Sequence, residues 1–174
     1  MTTPDGIDGN GTAAAARRLA DTWEREMERT LAVLRAYPEE KDGLKPHPVL
    51  KSARELAWVL AAVPGFAHAA VVGPLDLGGG FPPAPPRMRD VVETLEGARA
   101  GFLEALRSAS ADQLAGTVQF PSGPGTMGEW PRLDFLTFLL HDHIHHRGQF
   151  SVYLRMADAK VPSIYGPSAD EPWL

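Results

Sequence analysis

Apolar residues recur at spacings of three and four along four stretches of the chain, and each stretch predicts an amphipathic helix. Over residues 12–36 the stripe is Ala16, Leu19, Trp23, Met27, Leu31 and Leu34, with Thr12 able to cap the start and Pro38 just past the end. Over 49–63 it is Leu50, Ala53, Leu56, Leu60 and Val63. Pro64-Gly65 predicts a break or kink there, with 66–72 adding another turn or two. The third helix covers 88–108 and aligns Met88, Val91, Leu95, Ala98, Phe102 and Leu106. The fourth opens at Pro131, a residue favoured at the first helical position, and runs to about 157. Its stripe is Phe135, Leu139, Asp142, His146, Phe150 and Tyr153, so two polar residues occupy a seam that otherwise reads as core.

Long connections at 74–87 and 111–130 separate these helices, and they relax the need for sequence neighbours to pack side by side. Gly78-Gly79-Gly80 does not sit between a strand and a helix, which argues against a phosphate-cradling loop. Val118-Gln119-Phe120 reads as a short extended piece, with nothing to indicate a sheet. The expectation is one all-α domain over 1–174, a four-helix bundle with a flexible segment at 1–11.

Composition narrows the function classes. With 44% hydrophobic and 22% charged residues the chain is ordinary for a globular protein. The net charge of −5 disfavours nucleic-acid binding over a broad basic face. There is no cysteine, which removes disulfides, thiolate nucleophiles and zinc sites built on sulfur. The opening MTTPDGIDGNGT lacks the pattern of a secretory signal, and apolar runs such as 56–63 fall short of the ~18 residues a membrane span needs. A cytoplasmic protein without membrane or nucleic-acid partners is expected.

The chemistry gathers in HDHIHHRGQ at 141–149, which holds four of the six histidines. Helical geometry puts i and i+4 on one face, pairing His141 with His145 and Asp142 with His146. The stripe turns Asp142 and His146 toward the core and the other pair away. Imidazole and carboxylate suit zinc, nickel or manganese, but such a pair needs a further ligand from elsewhere. The alternative is a satisfied buried pair without a metal. Tyr153, one turn beyond Gln149, reads as a proton donor to a site at the seam or as a core tyrosine with a bonded hydroxyl. Glu55 reads as solvated, and Trp23 and Trp58 as packing residues. No G-x-S-x-G elbow, Walker loop or H-E-x-x-H is present, and Ser151 and Ser163 have no evident base–orienter arrangement.

The strings HHRGQFSVYLR at 145–155 and KVPSIYGPSADEPW at 160–173, with PHP at 46–48 and KSARELAW at 51–58, closely resemble the DinB/YfiT-like superfamily. The resemblance implies a four-helix bundle with long crossover connections, commonly a homodimer. It implies one divalent metal held by three histidines, one on the second helix and an H-x-x-x-H pair on the last. Characterised relatives include S-transferases and isomerases that use low-molecular-weight thiols such as mycothiol or bacillithiol; many others have no assigned reaction. Carried onto this chain, the histidine before Arg147-Gly148 is His146, its i−4 partner is Asp142, and the second-helix position is Val59.

Two readings follow. In one, Asp142 and His146 keep a weakened site, completed by water, substrate, His68 or His143, and the protein is a thiol-dependent transferase or related enzyme. His143 lies ~100° around the helix from Asp142. In the other, the site is degenerate and the protein is a non-catalytic, metal-free dimer that binds a small-molecule ligand or serves a stress response.

Overall fold

Trp23, Met27, Leu31 and Leu34 lose essentially all solvent contact along one face of helix α1 (Gly9–Arg35), which stops just short of Pro38. This computed structural model describes residues 9–174. Residues 1–8 of the segment expected to be flexible lie outside that range, and 9–11 belong to α1. A 3₁₀ turn at Glu39–Lys41 follows, then α2 (Ala53–Val72), α3 (Met88–Ser108), a short α4 (Ala111–Ala115), strands β1 (Thr117–Gly123) and β2 (Thr126–Pro131), and α5 (Arg132–Met156).

The four long helices form a ring. α1 packs on α3 and α5, and α2 packs on the same two, leaving α1 opposite α2. The connections from α1 to α2 and from α3 to α5 therefore cross the bundle, as the long loops allow. The core is one continuous cluster to which every long helix contributes.

α2 departs from expectation. It continues through Pro64-Gly65 without a break. Pro64 is buried, and Ala57, Ala61, Ala67 and Ala70 are fully enclosed. Packing on α3 and α5 offsets the backbone hydrogen bond that proline cannot donate. By length and composition α2 would pass for a membrane span, yet half of its most apolar window is buried inside the bundle. Arg132 closes the far end of α2, donating to the carbonyls of Ala70, of Val71 (3.2 Å) and of Gly73 (3.3 Å).

The stretch before α5 also needs correction, because it contains a sheet. β1 and β2 form an antiparallel hairpin that pairs Val118 with Trp130 and Phe120 with Gly128. Val118 and Phe120 alternate inward, and Phe120 packs on Phe135 with ring centroids 4.9 Å apart. Gly125 takes a left-handed φ of 66° in the turn, a conformation glycine adopts without steric cost. Prolines and glycines concealed the alternation in the sequence.

Candidate functional site

The buried face of α5 consists of Phe135, Leu136, Leu139, Leu140, His143, Arg147, Phe150, Tyr153 and Leu154. The polar residues that enter the core are therefore His143 and Arg147, one position on from the pair expected there. Asp142 and His146 sit half-buried at the edge of that face, while His141 and His145 are exposed. Apolar residues on both sides of the stripe made either register compatible with the pattern.

Inside, the Thr30 hydroxyl donates to the Glu26 carbonyl (3.0 Å), so its oxygen accepts from His143 Nε2 at 2.8 Å. That fixes the tautomer of His143, whose ring lies 5.4 Å from Trp23. Burial, then the charge of Arg147 and then His146, pushes His143 down to about 3, and the imidazole is neutral. Arg147 donates to the Glu26 carboxylate (2.6 Å) and carbonyl (2.9 Å). Tyr165, from the segment after α5, donates to the same carboxylate at 2.6 Å, with its ring under Arg29 and Arg147. Burial alone would raise the Glu26 pKa, but the hydrogen bonds from Tyr165 and Arg147 outweigh it and hold the carboxyl below its usual range.

On the outer side, a cleft of about 400 Å³ opens between the 46–51 loop, the start of α2 and α5. Pro46, Val49, Leu50, Leu56 and Val152 give it apolar walls, and Lys51, His146, Gln149 and Tyr153 supply its polar atoms. The Tyr153 hydroxyl donates to the Lys51 carbonyl (2.9 Å) and ties the loop to α5. Burial, then the charge of Glu55, raises the Tyr153 pKa, and its proton is already committed to that bond. Next to the tie, Ser52 caps α2: its hydroxyl accepts from the Glu55 amide, and the Glu55 carboxylate accepts from the Ser52 amide. Glu55 is thus exposed, as expected, but it also serves as a helix cap.

His146 Nδ1 donates to Gln149 Oε1 at 2.9 Å, and the Gln149 amide donates to His145 Nε2 at 3.0 Å. His146 Nε2 faces Asp142 Oδ1 at 3.5 Å. This is the chemistry the fold brings to the cleft edge: one imidazole, one carboxylate and one amide, half open to water.

Against known proteins, the sequence profile of the DinB superfamily matches residues 4–150. The chain belongs to the DinB superfamily. It is 26% identical over 155 residues to the uncharacterized protein YrdA of Bacillus subtilis, spanning 86% of this chain and 87% of that one. A DinB-like protein from Bacillus cereus superimposes with a TM-score of 0.67 at 25% identity, covering 84% of this chain and 95% of that structure. The DinB-like protein YjoA of Bacillus subtilis gives the same TM-score at 17% identity over 84% and 97%, a likeness of fold.

The three-histidine metal centre implied by the DinB resemblance does not fit the donors of this DinB chain. Of the positions to which the resemblance assigns those ligands, Val59 is aliphatic, and Asp142 and His146 offer two donor side chains between them. His143 is held in the core by Thr30 and Trp23, away from that half-exposed edge. His68 lines a groove with α3 and α4 residues such as Gly101, Glu104 and Gln113, on another side of α2. Among the described residues no three histidine, aspartate or glutamate side chains converge as a metal site. Sequence reasoning missed Glu26, Thr30, Arg147 and Tyr165. The available signal was Glu26 and Thr30 set within the apolar stripe of α1.

Proposed function

We propose that this DinB-superfamily protein binds a small, largely apolar molecule in the cleft between α2 and α5, without a resident divalent metal. The observation that carries the reading is the lining of that cleft: five apolar side chains form the walls, with His146 and Gln149 at one edge. Pockets that hold small molecules combine a mostly apolar surface with a few placed polar groups. A groove of similar size between α1 and α3 is lined by Glu28, Arg35, Glu96 and Arg99, whose charges already pair with one another. The donor set argues in the same direction, because zinc is held by four ligands and the chain offers two at the relevant positions. A cytoplasmic homodimer is part of the same proposal.

The i,i+4 pairing of Asp142 with His146 favours a second reading, a metal-dependent transferase with a borrowed low-molecular-weight thiol. One set of measurements separates the two. Titration with the neutral apolar dye Nile red is expected to show saturable fluorescence that Val152→Glu abolishes, since Val152 is 58% exposed and tolerates a charge. Elemental analysis of protein purified without chelator is expected to find no stoichiometric zinc, nickel or manganese. Dye binding that ignores Val152→Glu would overturn the cleft. Stoichiometric metal lost in both Asp142→Ala and His146→Ala would establish the second reading instead.

A further inference from the structure

The charges around the cleft are unequally spent. Lys45 approaches Glu55 at 3.9 Å, and the Glu55 carboxylate is also bound by the Ser52 amide at 2.6 Å. Asp142 faces His146. His47 turns its Nδ1 back on its own loop, toward the Val49 amide at 3.4 Å. Lys51 remains. It lines the cleft, and among the described residues no carboxylate lies within ion-pair distance of its ammonium. Glu55 is near enough to feel Lys51, but more weakly than it feels Ser52 or Lys45.

The backbone of Lys51 is also fixed. Its carbonyl accepts the Tyr153 hydroxyl, and the next residue is the capping Ser52, so an exposed side chain is carried on a held backbone beside the cleft. On α5, the Gln149 amide spends one N–H on His145 and keeps a second for a ligand. The cleft therefore joins apolar walls to one unneutralised cation and one neutral donor.

From this complementarity we infer that the ligand is an amphiphilic monoanion, an aliphatic carboxylate whose chain lies against Val49, Leu50, Leu56 and Val152 and whose head meets Lys51. The inference rests on the cleft reading above and names its ligand class. A volume of about 400 Å³ lies at the low end for ligand pockets, which suits a chain of about ten carbons. One available cation matches one negative charge better than the two of a phosphate monoester.

The test compares decanoate and decyltrimethylammonium below their micelle concentrations, and decanol below its solubility limit, by displacement of Nile red from the full chain. Decanoate is expected to bind about fivefold tighter than decanol, the advantage of a partly exposed ion pair, and the ammonium amphiphile weakest. Lys51→Gln is expected to bring decanoate down to the level of decanol and leave decanol unchanged. Val152→Glu is expected to weaken both. Equal binding of decanoate and decanol, or a decanoate advantage that survives Lys51→Gln, overturns the head-group assignment while the cleft stands. Failure of all three to displace a dye that Val152→Glu excludes overturns the aliphatic ligand. Absence of dye binding removes the cleft reading itself.

Discussion

His143 is a base held neutral inside the bundle, and the consequence is a pH-dependent stability. Its folded pKa of about 3 lies below the ordinary value of 6.5, so between those limits the unfolded chain binds the extra proton. Stability is then full above about 6.5 and falls as the solution is acidified, by up to ~1.4 kcal/mol per pH unit. Glu26 acts in a lower window: its depressed carboxyl stabilises the fold above the ordinary 4.5 and loses that contribution as pH falls further. Urea unfolding at pH 7 and pH 5 isolates His143. His143→Gln keeps an N–H for Thr30 and removes the titration, so it is expected to lose about 2 kcal/mol less than wild type between those two values. An identical loss in both proteins would show that the core imidazole does not control the acid limb. The sequence made the histidine cluster conspicuous but not its orientation. A rotation of one residue exchanged Asp142 and His146 for His143 and Arg147, and only the partners on α1, more than a hundred positions away, decide between them.

At the scale of elements, the helices were legible because their stripes are long and regular, and the hairpin was not because its strands are short and interrupted. Pro121, Gly123 and Gly128 interrupt the strands and Pro124 and Gly125 form their turn, while the inward alternation rests on Val118 and Phe120 alone. The start of α2, expected near 49, lies instead at Ala53. Ser52-Ala53-Arg54-Glu55 carries the spacing of a capping box, and the structure makes both of its hydrogen bonds. Because this cap adjoins the loop that walls the cleft, it sets both helix stability and the position of Lys51. Ser52→Ala is expected to cost about 1 kcal/mol in chemical denaturation, with no change in the hairpin. In the turn of the hairpin, Gly125→Ala is expected to cost about 1 kcal/mol for a different reason, the left-handed backbone at that residue. Both variants should remain folded, and a shift below experimental error in either would mean that the corresponding local feature contributes little.

At the scale of the molecule, the bundle is closed by the segment that follows α5. Tyr165 covers the Arg147–Glu26 pair, and Asp170 binds Arg155 (2.5 Å) and the Val161 amide (2.8 Å). Arg29 also holds the segment, donating to the Ile164 carbonyl at 3.0 Å. A charge pair enclosed in this way needs all of its hydrogen bonds, because desolvation otherwise exceeds the attraction between the partners. Tyr165 supplies one of them and screens the rest from water. Tyr165→Phe removes a hydrogen bond to a charged carboxylate and is expected to cost roughly 1.5–3 kcal/mol. Truncation after Ala159 removes the ring, the hydroxyl and the Asp170 tie together, and is expected to cost more than the point variant. Arg147→Met leaves the Glu26 carboxylate with only Arg29 (2.6 Å) and Tyr165 (2.6 Å), is expected to cost ~3 kcal/mol, and adding Glu26→Met should recover part of that loss. Thermal and urea unfolding of the set tests the order. If truncation proves as mild as a surface change while Arg147→Met is severe, the pair is sustained by α1 and α5 alone and the terminal segment is not its cover.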